Sequence, residues 1–276
     1  MAIGMPQQRS DRRVAPFVRE AGTGPGVVCL HANASNSGQW RELLDRLSTT
    51  FHALAPDAYD AGRSPEWGSD RVIRLQDEVA LIEPVLEAAG SPLRLVGHSY
   101  GGAIALMTAL ANPASVRSLV LYEPTLFSLI AADRGVPNDA DGIREVVAAS
   151  ARALDRHDRN RAAEIFIDYW MGEGTWSGMP TQRQAPIAAS ITNVRRWGHA
   201  LFTEPTPLER FRSLTMPVLY MVGTRSTPSA LGVARLLTAT LPRVEVTTFE
   251  QLGHMGPVTH SDTVNATIEQ FLARHG

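Results

Sequence analysis

One stretch constrains this chain more than any other: Leu95-Val96-Gly97-His98-Ser99-Tyr100-Gly101-Gly102-Ala103. An apolar run, residues 93–96, leads into it, and a helix of small residues, about 101–110, leads out. Gly97-x-Ser99-x-Gly101 between a strand and a helix is the spacing of a nucleophile elbow. A turn this sharp forces the serine into strained backbone angles, and glycines two positions away on each side remove Cβ atoms that would collide. The hydroxyl then stands clear of the sheet, and the backbone N–H of Tyr100 points at a reacting carbonyl. An ordinary glycine-rich turn is the competing reading, and it fits the strand before and the helix after less well.

An elbow of this kind projects from a sheet, and the rest of the chain alternates accordingly. Strands are expected at 14–20, 27–30, 51–55, 93–96, 119–122, 217–222 and 244–249, and helices at 39–47, 72–89 with a kink at Pro84, 229–241 and 261–274. The run Val27-Val28-Cys29-Leu30 is apolar throughout, as a strand buried on both faces should be. Strand-helix alternation implies a mostly parallel sheet flanked by helices. From Pro124 to about Arg212 the pattern changes to Ala- and Arg-rich helical segments, 142–154, 159–170 and 185–197, with no convincing strand. The expected organisation is an α/β core of residues 1–124 and 211–276, interrupted by a helical lid at 125–210. A length of 276 residues suits one such domain.

A serine hydroxyl is a weak nucleophile near neutrality and needs a general base, normally an oriented histidine. Of eight histidines, His254 is the best placed. It follows a β-branched strand in the glycine-flanked loop Leu252-Gly253-His254-Met255-Gly256-Pro257, where a parallel sheet presents its carboxyl edge. His260 is the rival, but beside Ser261 and Asp262 it reads as a capping neighbour of the last helix; His31 and His98 read as architectural. The strand 27–30 ends in His31-Ala32-Asn33-Ala34-Ser35-Asn36-Ser37, whose short side chains leave backbone N–H groups free to face a ligand as an oxyanion hole. A plain Asn/Ser turn is the alternative there. No His-x-His, His-Glu-x-x-His or cysteine pair occurs, so a metal site is not expected.

These motifs, spread over nearly the whole chain, resemble the α/β-hydrolase-fold superfamily, in its cofactor-free, lid-bearing serine esterase form. The resemblance implies that His31-Ala32-Asn33 corresponds to the family's His-Gly-x segment, with the Asn33 N–H as oxyanion donor beside that of Tyr100. It matches Asp57-Ala58-Tyr59-Asp60-Ala61-Gly62-Arg63-Ser64 to an Asp-x-x-Gly-x-Gly-x-Ser loop. Ala32 stands where a glycine is usual, which would alter the oxyanion turn. Asp60 replaces another glycine, with an effect expected on its own turn only. The third departure concerns the triad acid, expected in a Gly-x-x-Asp loop after strand 217–222. This chain reads Gly223-Thr224-Arg225-Ser226 there, and no Asp or Glu occurs between Glu209 and Glu245. Some relatives, certain haloalkane dehalogenases among them, carry the acid at the end of the preceding core strand. Glu123 in Leu121-Tyr122-Glu123-Pro124 is then the candidate, with Glu250 as competitor and a solvated hinge at the lid's start as the inert reading of Glu123.

The implied activity is hydrolysis of a small carboxylic ester or lactone through an acyl-enzyme, with Ser99, His254 and Glu123 as triad. The same residues would support C–C bond hydrolysis of a β-diketone-like substrate, and a ligand-binding member without turnover is the non-enzymatic alternative. Epoxide hydrolases and dehalogenases of this type need an aspartate nucleophile, which Ser99 disfavours. The lid's Tyr169, Trp170 and Trp176, with Phe127 and Met255, are expected to line an apolar pocket over Ser99, although the lid's own core has a claim on some of them. Arg195-Arg196 reads as a solvated face, with a substrate carboxylate as the other possibility.

A net charge of −2 with no long basic run argues against nucleic acid or an anionic membrane as partner. Cys29, the single cysteine, is expected to be a buried thiol. No apolar stretch reaches 18 residues, and residues 1–13 lack the apolar segment of a secretory leader, so a cytoplasmic protein is expected. The expected partner is a small, apolar, ester-like substrate; the oligomeric state is not legible.

Overall fold

The continuous apolar runs become the centre of a seven-stranded sheet of order β1-β3-β2-β4-β5-β6-β7 in the computed structural model, which describes residues 14–132 and 137–275. The expectation of a non-secretory leader at residues 1–13 lies outside the described residues. The strands are β1 (Val18–Ala21), β2 (Gly26–Leu30), β3 (His52–Pro56), β4 (Leu93–His98), β5 (Val116–Tyr122), β6 (Val218–Gly223) and β7 (Val244–Phe249). Among the described residues only β1 pairs antiparallel, against β3; the other pairings are parallel. Alternate residues of the central strands enter different cores. Val28, Leu30, Leu95, Leu119 and Leu121 join one apolar cluster. Val27, Cys29, Val96 and Val120 join the other. Burial raises the pKa of the Cys29 thiol far above its ordinary value.

Helix α1 (Arg41–Leu47) covers the second face through Leu43, Leu44 and Leu47. On the first lie α2 (Leu75–Ala89) and α3 (Tyr100–Ala111). The helix expected from residue 72 begins at Leu75, because Asp77 turns back to accept the Arg74 N–H at 2.8 Å and caps it. It continues through Pro84 as one element. The first strand is shorter than the run 14–20; residues 14–17 are not in the sheet, and the Phe17 N–H bonds instead to Ser64 Oγ.

Between β5 and β6 the chain forms α4 (Phe127–Ala131), α5 (Asp141–Asp155), α6 (Arg159–Met171), α7 (Thr175–Gly178), α8 (Thr181–Ser190) and α9 (Val194–Phe202). The single helix expected at 185–197 is two helices joined by a 3-10 turn, Ile191–Asn193, where β-branched Ile191 and Thr192 and the amide of Asn193 weaken helical continuity. Strand-helix alternation then resumes with α10 (Pro228–Thr240), α11 (Gly256–Thr259) and α12 (Ser261–Arg274). The first apolar cluster runs from the sheet into this insertion without a break, taking in Phe127, Ile143, Trp170 and Trp197.

Asp60 does more than serve its own turn. It holds the left-handed conformation (φ 59°) where the family has glycine, a conformation Asp tolerates better than most residues. Its carboxylate also accepts the Trp67 N–H and pairs with Arg196 on α9 at 2.9 Å. Arg195 meanwhile pairs with Asp155 on α5. The arginine pair is therefore engaged within the fold, and one of its members ties the insertion to a core loop.

Candidate active site

Strand β4 ends at His98 and α3 begins at Tyr100, so Ser99 alone makes the turn, at φ 56° and ψ −117°. A Cβ on Gly97 would lie 2.5 Å from the Gly101 carbonyl oxygen, and one on Gly101 would lie 2.2 Å from that of Leu30. Both glycines are thus required by close backbone approach. The strained residue is held on both sides: its N–H donates to the Tyr122 carbonyl at 3.0 Å, and its carbonyl accepts the N–H groups of Ala103 and Thr125.

His254 and Glu123 converge on this hydroxyl. Ser99 Oγ lies 2.9 Å from His254 Nε2, and His254 Nδ1 lies 2.8 Å from Glu123 Oε2. A carboxylate only accepts, so Nδ1–H donates to Glu123 and Nε2 is left to accept the serine proton. Glu123 is fully buried and sits at φ 43°, a strained angle for a residue with a side chain. A buried carboxylate needs partners on both oxygens. Its second oxygen, Oε1, accepts the Gly223 N–H at 2.7 Å and the Ser226 hydroxyl. The loop in which the family's acid is missing therefore holds the acid that emerges from β5. Glu250 is exposed on the turn after β7, and His260 bonds Thr259 Oγ1 at an exposed helix start. Neither is brought to Ser99.

A second hydrogen-bonded path joins the His254 loop to the turn after β2. Ala32 N–H donates to Gln39 Oε1 at 3.1 Å, the Gln39 amide donates to His98 Nδ1 at 3.1 Å, and His98 Nε2–H donates to the His254 carbonyl at 2.8 Å. Burial, and then the neighbouring His254, push His98 well below the ordinary histidine range, so it is neutral. His31 is also lowered by burial; it accepts the Ala58 N–H and donates to the Ala32 carbonyl. Ala32 does not need glycine's freedom, because the left-handed residue of this turn is Ala34, at φ 53°. The Asn33 N–H takes no partner among the described residues, and Asn33 and Ser99 share one cavity. The Tyr100 N–H, first in its helix, has no acceptor four residues back. Behind it, the Tyr100 hydroxyl and the Tyr59 N–H both donate to Glu78, whose carboxyl burial pushes up to about 8.

The cavity over Ser99 is about 20 Å³. Trp170 and Phe127 line it; Tyr169, Trp176 and Met255 do not. Tyr169 turns away to bond Ser229 Oγ on α10, and Trp176 is buried in α7, its backbone N–H donating to Asp168 Oδ1. The walls not foreseen are Ile143 and Val147 on α5, Phe166 on α6, and Val194, Trp197, Gly198 and Leu201 on α9. Gly198 lets the two helices meet, since a Cβ there would lie 2.8 Å from Val147 Cγ1. Two polar side-chain atoms in the lining, Asn33 Oδ1 and Thr125 Oγ1, are buried without a partner. Among the described residues no cluster of three His, Cys, Asp or Glu side chains is placed to hold a metal ion. No helix among them is long and apolar enough to cross a membrane.

A family model described as "alpha/beta hydrolase fold" matches residues 25–261. The chain is 25% identical over 268 residues to a pimeloyl-[acyl-carrier protein] methyl ester esterase from Aliivibrio salmonicida, covering 91% of this chain and 93% of that one. It is 29% identical over 243 residues to a 2-(acetamidomethylene)succinate hydrolase from Mesorhizobium japonicum, covering 85% and 84%. A solved thermophilic esterase from Thermogutta terrifontis shares the fold at a TM-score of 0.75 and 20% identity, covering 94% of this chain and 93% of that one.

Proposed function

The chain belongs to the alpha/beta hydrolase fold family, and from that premise we propose that it is a serine hydrolase of small, uncharged carboxylic esters or lactones. The observation that carries this reading is the unbroken path from Ser99 Oγ through His254 to Glu123, with steps of 2.9 and 2.8 Å. Ser99 Oγ attacks the ester carbonyl while His254 Nε2 takes its proton. The N–H groups of Tyr100 and Asn33 receive the negative charge that develops on the carbonyl oxygen. His254 then passes its proton to the leaving alcohol oxygen, the C–O bond breaks, and an acyl-serine remains. A water, activated by the same imidazole, returns the acid and the free serine. Glu123 keeps the imidazole in the tautomer that accepts at Nε2 and balances the imidazolium.

Residues 125–210 act in this reading as a lid that selects the substrate. Apart from Asn33, Ser99 and Thr125, the described lining is apolar, with no basic side chain, and Arg196 is committed to Asp60. The Mesorhizobium relative is named for a succinate, a dicarboxylate; a substrate of that charge finds no partner in this cavity. A void of about 20 Å³ holds little more than one water, so the wall must open to admit a substrate, and short acyl groups ask least of it. A fluorophosphonate should label the protein at Ser99 and leave Ser99→Ala unlabelled. A panel of p-nitrophenyl esters should be cleaved fastest at short chain length. Absence of labelling, or labelling that survives Ser99→Ala, would overturn the reading.

A further inference from the structure

The indole of Trp170 lies over the His254 imidazole with ring centroids 4.0 Å apart and planes 27° apart. The indole is itself fixed: Tyr169 meets it edge-on at 4.9 Å, Phe166 edge-on at 6.3 Å, and Phe127 stacks at 6.4 Å. The other groups around the imidazole are accounted for. Glu123 takes one nitrogen and Ser99 the other. The His98 ring approaches at 5.2 Å, tilted by 48°, with Nε2–H committed to the His254 carbonyl and no charge of its own. No lysine or arginine contacts the ring in any of these interactions. Trp170 thus offers a π face to a group that must become a cation each time Ser99 gives up its proton.

Indole has the strongest cation-binding face of the aromatic side chains, and the attraction grows where water is excluded. Trp170 and His254 are both buried. We propose that Trp170 is a positioning residue for the reaction: its face holds the His254 ring in plane for Ser99 and Glu123 and stabilises the imidazolium of the transition state. The insertion therefore contributes to the chemistry as well as to substrate selection, and moving α6 off the core removes that contribution. The proposal rests on the reading of His254 as general base.

The test compares Trp170→Phe and Trp170→Leu with the parent in two measurements. One is the pH profile of kcat/KM on a short ester. The other is an NMR titration of the His254 imidazole in a Ser99→Ala background, which needs no turnover. Loss of the π face makes the cation harder to form, so Trp170→Leu should move the acid limb and the NMR midpoint to lower pH by about half a unit to one and a half units. The plateau kcat should fall about threefold to thirtyfold. Trp170→Phe, with a weaker face, should fall between. A role in packing alone predicts the opposite sign or none, because water entering beside the ring would favour the cation and move both to higher pH. A midpoint at or above that of the parent in Trp170→Leu overturns the proposal; should that variant not fold, the same result in Trp170→Phe does so. An inert parent enzyme would count against the hydrolase reading while leaving the NMR comparison able to decide the stack.

Discussion

The sheet edge and the insertion meet at one cavity and are built on different physics. On the sheet side each group of the proposed triad is tied by directed bonds. Ser99 is held through its backbone to β5 and α3, and Glu123 accepts from His254, Gly223 and Ser226. The His254 loop is held by His98 at the His254 carbonyl and by the Tyr122 hydroxyl at that of Gly253. On the insertion side the wall is made of rings and branched chains in van der Waals contact. Directed bonds fix position to a fraction of an ångström, which proton transfer requires. Apolar contacts fix volume, and volume discriminates among substrates by only about 1–3 kcal/mol per methylene. The division predicts large losses of rate from polar changes below the cavity and, Trp170 apart, changes of preference from apolar changes above it.

The largest effects are expected at the groups proposed to exchange the proton. Ser99→Ala and His254→Ala should each lower kcat by about 10⁴–10⁶, and the double variant should be no worse than the singles, since the pair acts as one unit. Steady-state rates on a short ester decide this, with circular dichroism to show that the fold is kept. More than about a tenth of parental activity in either variant would break the comparison at its root. Glu123→Gln comes next, at about 10²–10⁴, because the amide offers a donor where Nδ1–H needs an acceptor. Ser226→Ala should cost about tenfold by loosening Oε1. Normal turnover in Glu123→Gln would mean that the buried path from β5 to His254 is only architectural.

How far the site can be read from sequence follows the same divide. Gly97, Gly101 and the ends of the strands follow from local constraint, since the backbone closes to 2.2 and 2.5 Å of where their Cβ atoms would be. Glu123 was accessible only through the resemblance: no Asp or Glu occurs between Glu209 and Glu245, and some relatives carry the acid at the end of the preceding core strand. Ser226 was not: a serine in a loop carries no sign of the strand end it will reach. Nor was the tie between Asp60 and Arg196, which join only when the insertion docks. Tyr169 and Trp170 show the limit most clearly. Adjacent residues on a helix point about 100° apart, so one ring reaches His254 while the other bonds Ser229 on α10. Composition marks both as aromatic; only the seating of α6 tells them apart.

Val147 sharpens the comparison from above. It touches the cavity from α5 against Gly198 of α9, and truncating it adds volume without removing a polar contact. Val147→Ala should raise the rate on a medium-chain ester relative to acetate by about tenfold, with kcat on acetate changed less than threefold. Equal loss on both esters would show that α5 serves rigidity and not selection.

The smallest effect on turnover is expected at Glu78, which separates polar groups on the proton path from those merely near it. Glu78 is buried behind Tyr100, and burial raises its carboxyl to about 8. A folded pKa above the unfolded carboxylate value means that the native state binds more protons than the unfolded chain. The stabilisation is therefore complete below about 4.5 and is lost as pH rises through 8. Glu78→Gln mimics the neutral acid: its amide oxygen can accept the Tyr59 N–H, and its NH₂ can donate to a rotated Tyr100 hydroxyl. The parent should lose up to about 1 kcal/mol of stability per pH unit across this window through Glu78, and the variant should lose correspondingly less. Turnover on a short ester should stay within about twofold of the parent, because neither Tyr100 N–H nor Ser99 is moved. Urea midpoints from pH 5 to 8 measure the first expectation. Parallel curves for parent and variant would show that Glu78 is charged in the native state. A rate loss of tenfold or more would place Glu78 with the groups that position the oxyanion donor and redraw the boundary between the two halves of the site.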